Sequence, residues 1–97
     1  MTTTLSRLSS WYLAQCDGDW EHDEGVIIDT LDNPGWSVQI SLLGTSLENV
    51  AFETHENNYQ DETQWLRCWR DATHFHAACG PTRLEDALQL FLLWANS

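Results

Sequence analysis

The residues in this chain best suited to chemistry are carboxylates and histidines. Asp17, Asp19, Glu21, Asp23 and Glu24 surround Trp20 and His22, and Asp29 and Asp32 follow shortly after. Carboxylates beside a histidine can bind a divalent ion or serve a hydrolase as acid and base. The supporting patterns for such chemistry are missing. There is no H-x-x-x-H helical pair, no glycine-rich phosphate loop and no G-x-S-x-G elbow. His74, His76 and Cys79, with Cys68 further back, are side chains suited to zinc. Yet no C-x-x-C pair is present and the spacing matches no common zinc module. Two histidines on an outward strand face account for that group more simply. The residues therefore imply no enzyme, no metal and no cofactor.

What the acids offer instead is a field. Fifteen Asp and Glu face four Arg, with no Lys, for a net charge of −11. Nucleic acid and anionic membranes would be repelled, and a basic protein would be attracted. Seven of the fifteen acids fall between Asp17 and Asp32, sixteen residues without a Lys or Arg. Exposed pairs ~10 Å apart repel by only about 0.4 kcal/mol in water, so a fold tolerates such a cluster. Folding gains little from it, whereas capture of a cationic partner gains much. Plain solubility is the competing account of an acidic surface.

The elements that must position these residues are legible from periodicity. Thr4 to Cys16 predicts an amphipathic helix with Leu5, Leu8, Tyr12 and Cys16 on one face, capped by Thr3 or Thr4 and ended at Asp17-Gly18. Gly25 to Leu31 and Trp36 to Leu42 alternate as strands. Asp32-Asn33-Pro34-Gly35 between them predicts a hairpin with a type II turn over Asn33 to Trp36, in which Gly35 takes positive φ. Asp32 or Asn33 would hold that turn through backbone bonds. A third strand is expected over Val50 to His55, then a polar loop from Glu56 to Glu62. Gln64 to Arg70 and His74 to Ala78 follow as further strands. Thr82 and Glu85 predict a capping box opening a C-terminal helix whose stripe is Leu84, Ala87, Leu88, Phe91, Leu92 and Ala95. Trp36, Trp65, Trp69 and Trp94 are expected in the core, with Trp65 or Trp69 open to stacking by Arg67 or Arg70.

The fold class is thus α+β in one domain: an N-terminal helix, an antiparallel meander of four to five strands and a C-terminal helix, the helices on one face of the sheet. No apolar run is long enough to span a membrane. MTTTLSRLSS lacks a basic region followed by an apolar block, so no secretory leader is expected. Three cysteines, an odd count, fit free buried thiols in a reducing cytoplasm.

The string WYLAQCDGDWEH followed by GVIIDTLDNPGWSVQISLLGT, together with the C-terminal Phe91, Leu92, Leu93 and Trp94, resembles the Immunity protein 53 family across nearly the whole chain. The resemblance implies a small bacterial cytosolic protein, encoded beside a polymorphic toxin, that neutralises the toxin by binding it. It carries no catalytic residues. The residues agree in kind: an acidic field speeds capture and aromatic anchors slow release. The expected partner surface is Asp17, Asp19, Trp20, Glu21, His22, Asp23, Glu24, Asp29 and Asp32, with Trp20 as anchor. It would cover a basic nuclease active site or bind at an exosite. The rival readings are a small acidic adaptor and a metal-binding module or hydrolase.

Overall fold

The computed structural model describes residues 3–58 and 60–97. Residues 1 and 2, in the stretch read for a leader, and residue 59, in the expected polar loop, lie outside the described residues. The elements run in order α1 (Thr4–Gln15), α2 (Trp20–Asp23), β1 (Val26–Leu31), β2 (Gly35–Ser41), β3 (His55–Asn57), β4 (Leu66–Arg70), β5 (His74–Cys79) and α3 (Leu84–Ala95). The five strands form one antiparallel sheet in the order β1-β2-β5-β4-β3. A hairpin (β1, β2) and a meander (β3, β4, β5) are joined along β2 and β5.

Alternation along the strands separates the two faces of this sheet. Val38 and Ile40 on β2 lie opposite Ala77 and Phe75 on β5, and Leu66 and Cys68 on β4 lie opposite Cys79 and Ala77. All are buried, and α3 covers them with Ala87, Leu88, Phe91 and Leu92. Each large aliphatic or aromatic side chain in this layer contributes about 1.5–3 kcal/mol by leaving water. Helix α1 adds Leu8 and packs on α3 through Trp11, which meets Phe91 edge-to-face at 4.9 Å. Thr4 Oγ1 donates to Glu85 Oε2 at 3.0 Å across the same seam. The opposite face carries Ile27, Asp29, Ser37, Gln39, Arg67, Trp69, His74 and His76.

Several local expectations need correction. Helix α1 buries Thr4 and Leu8, while Leu5 and Tyr12 are exposed, because its contact face is set by α3 rather than by its own apolar stripe. Thr3 caps it as expected, in a capping box with Ser6. Gly35 does not take positive φ, so the type II turn does not form. Gly35 begins β2 instead, and a Cβ there would overlap the Cys79 carbonyl oxygen. Residues 50–54 are not a strand; Phe52 packs against Phe75 and Trp94, and the third strand is only His55–Asn57. The box expected at Thr82 and Glu85 does not form, because Thr82 Oγ1 donates to Thr63 O and Glu85 accepts from Thr4. Arg83 takes the capping position and bonds Asp86 at 2.7 Å. Cys16 is half-buried rather than buried, whereas Cys68 and Cys79 are in the core. Burial, with Cys79 nearby, pushes the Cys68 thiol up to about 12, and burial also raises Cys79. Both are small core residues rather than reactive thiols.

Candidate functional site

The acidic segment runs from the end of α1, through α2, along β1 and into the hairpin turn. Its acids do two different things. Asp17 Oδ1 accepts from the backbone N–H groups of Asp19 and Trp20, both at 2.9 Å, and so closes the loop onto α2. Those bonds, that of Trp20 first, hold its carboxyl below the ordinary value. Glu21 reaches back to the N–H groups of Asp17 and Gly18 at 2.9–3.2 Å. Its carboxyl is also lowered, by its own backbone N–H and then by those two. Glu24 accepts from Ser41 Oγ at 2.5 Å, satisfying a fully buried hydroxyl. These three acids build the fold.

Asp19, Asp23, Asp29 and Asp32 are exposed, and their carboxylates have no hydrogen-bond or ion-pair partner among the described residues. His22 is likewise exposed, with its backbone N–H bonded to Asp19 O. Three of the free acids lie on β1 or close to its ends in the chain. Asp23 ends α2, with two residues between it and β1, Asp29 projects from the open face of β1 opposite Ser37, and Asp32 lies just beyond its end. The strand spans about 20 Å at ~3.4 Å per residue. Neither Asp32 nor Asn33 holds the turn through its side chain, contrary to expectation.

Trp20 departs most from expectation. It is 7% exposed, its Nε1 donates to Leu43 O at 2.8 Å, and its ring meets Trp11 and Tyr12 edge-to-face. It locks α2 onto the core and offers a partner no exposed ring. The apolar surface on this side comes instead from β1, where Ile27 is 56% and Ile28 38% exposed. A groove of about 370 Å³ adjoins the strand, lined by Leu8, Ser9, Tyr12, Glu24, Gly25 and Val26.

The histidines and cysteines singled out by the sequence do not converge. His74 and His76 lie on the open face, and Cys68 and Cys79 on the core face. Among the described residues no group of three His, Cys, Asp or Glu could hold a metal ion. His76 belongs to a surface stack: its ring lies 5.2 Å from Trp69, whose other neighbour is the Arg67 guanidinium at 4.6 Å, itself paired with Glu56 at 3.1 Å. The stack ends at Asp71, whose Oδ2 is 2.7 Å from His76 Nε2. Asp71 also accepts from the N–H groups of Thr73 and His74 at 2.8 Å. The Thr73 bond leads in holding its carboxyl well below the usual range, followed by His76. The signal for it was present as Asp71-Ala72-Thr73-His74, an Asx-turn pattern that Asp61-Glu62-Thr63-Gln64 repeats.

No curated protein and no solved structure matches the chain significantly. A family model does, that of Immunity protein 53, and it spans residues 5–96, from the second residue of α1 to just past the end of α3. The chain belongs to the Immunity protein 53 family.

Proposed function

We propose that this protein protects a bacterial cell by binding a cognate toxin directly, and that the acidic side formed by α2, β1 and the hairpin turn makes first contact. The family match over residues 5–96 carries the reading. The surface chemistry supports it: Asp19, Asp23, Asp29 and Asp32 stand exposed without partners among the described residues, and β1 carries exposed apolar residues. Carboxylates left free by the fold remain available to Lys and Arg of another protein, and a net charge of −11 extends that attraction beyond contact distance. A toxin with a cationic surface, such as a nuclease's phosphate-binding site, is the complementary partner. Nucleic acid and anionic membranes are not partners on the same grounds. The protein acts in the cytoplasm by occupying the toxin and does no chemistry itself.

The test is protection and binding together. Cells expressing the toxin encoded beside this chain's gene are expected to grow only when the chain is co-expressed. The purified pair is expected to form a stable complex in calorimetry. Growth arrest despite co-expression, with no heat of binding, would rule out the immunity reading.

A further inference from the structure

We propose that β1 is a docking edge, to which the toxin adds an extended strand whose side chains alternate between cationic and apolar. The inference rests on the toxin-binding reading above and specifies how binding occurs.

Strand β1 is at the end of the sheet and, among the described residues, pairs only with β2. Ser41 N–H donates to Gly25 O, which fixes the phase of the ladder. With the register Val26↔Ile40 to Leu31↔Gly35, the residues that exchange bonds with β2 are Ile27, Asp29 and Leu31. The N–H and C=O groups of Val26, Ile28 and Thr30 therefore point away from the sheet. None of them has a hydrogen-bond partner among the described residues. Natural sheets blunt such edges with Lys, Pro, a bulge or a covering element. Here the register is continuous across all six residues, and no Pro or Lys interrupts it.

The side chains fit the same use. Val26 and Ile28 lie on the core side of the edge, and Val26 lines the groove with Leu8 and Tyr12. A strand added at β1 would place every second side chain toward that groove and the others toward Asp29 on the open face. Apolar residues suit the first position and Lys or Arg the second.

A second copy of this chain fits poorly. Asp23, Glu24, Asp29 and Asp32 run the length of the edge, each copy carries −11, and pairing β1 with β1 would set acids against acids. Asp29 thereby discourages self-pairing while inviting a cation.

The experiment is amide hydrogen exchange by NMR on the full chain, free and bound to the toxin encoded beside it, with affinities measured for the wild type and Ile28→Pro. Proline at position 28 deletes an outward donor and no bond to β2. The amides of Val26, Ile28 and Thr30 are expected to exchange quickly in the free protein and to slow at least about tenfold in the complex. Those of Ile27, Asp29 and Leu31 should be protected in both. Ile28→Pro is expected to bind at least about tenfold more weakly. If the toxin binds and the three outward amides exchange as before, the docking edge is wrong and the immunity reading stands. If the toxin does not bind the wild type, both fall. Should Ile28→Pro fail to fold, the exchange data on the wild type decide alone.

Discussion

Seven carboxylates crowd the segment from Asp17 to Asp32, and they divide by what they touch. Asp17, Glu21 and Glu24 accept hydrogen bonds from the chain itself, whereas Asp19, Asp23, Asp29 and Asp32 accept none among the described residues. Changing the second set together to Asn should slow toxin association several-fold and leave the melting temperature within a few degrees of wild type. Asp17→Ala or Glu21→Ala should do the reverse, lowering the melting temperature by a few degrees through loss of loop-closing bonds. Stopped-flow association and thermal melts separate the two sets. Charge reversal at Asp19, Glu21 and Glu24 together would mix both effects. The bonded acids also set the pH response. Asp17, Glu21, Asp61 and Asp71 have carboxyls lowered in the folded state. Their contribution is complete above the ordinary carboxylate range and is lost as pH falls through the lowered folded values. Urea midpoints should therefore hold from about pH 7 to 5 and drop below about pH 4. Asp71→Asn should flatten that drop.

At the scale of elements, the hairpin and the meander meet where β2 runs against β5, and Gly35 marks the tightest point of that seam. A side chain there would drive into the Cys79 carbonyl, with Trp65 also close. Gly35→Val should cost at least about 2 kcal/mol, since overpacking a filled interior forces backbone shifts. The loss would show as a lower urea midpoint. Gly18→Ala also bears on conformation, because Gly18 has φ +99°, but no atom lies within 4 Å of a Cβ placed there. The cost at Gly18 is backbone strain; at Gly35 it is collision. The stretch between β2 and β3 is held without strand pairing. Arg70 donates to the carbonyls of Leu47, Glu48 and Val50 at 2.6–2.9 Å, and Trp94 Nε1 to Ala51 O at 2.9 Å.

Over the whole molecule, a charge of −11 on a fold of 13.3 Å radius of gyration makes association with a cation a long-range event. Raising salt from about 20 to 500 mM shortens the screening length from about 20 Å to a few ångströms. The association rate with the toxin should fall at least about tenfold over that range. The dissociation rate should change less if the proposed apolar and backbone contacts at β1 hold the complex together. Surface plasmon resonance across the salt series reads both. An association rate indifferent to salt would move the contact away from the acidic side.

The sequence by itself determined the α+β fold, the family and most of the elements, though not α2 or the irregular course of residues 50–54. Strand alternation and helical spacing are local consequences of backbone geometry, and WYLAQCDGDWEH with DNPGW is a long pattern. It also placed Asp29 on the non-core face of its strand, because alternation needs no tertiary information. Only the tertiary structure decided the rest. Whether Trp20 anchors a partner or the core depends on Trp11, Tyr12 and the Leu43 carbonyl. Leu5 is exposed because α3 meets α1 along Thr4, Leu8 and Trp11. Gly35 is required by the approach of β5, more than forty residues away, rather than by its turn. Which acids are free and which are bonded also depends on partners, as Glu24 shows with Ser41 on the neighbouring strand. Residue type and spacing fix what a side chain is able to do; contacts between distant segments fix which of those possibilities is left open.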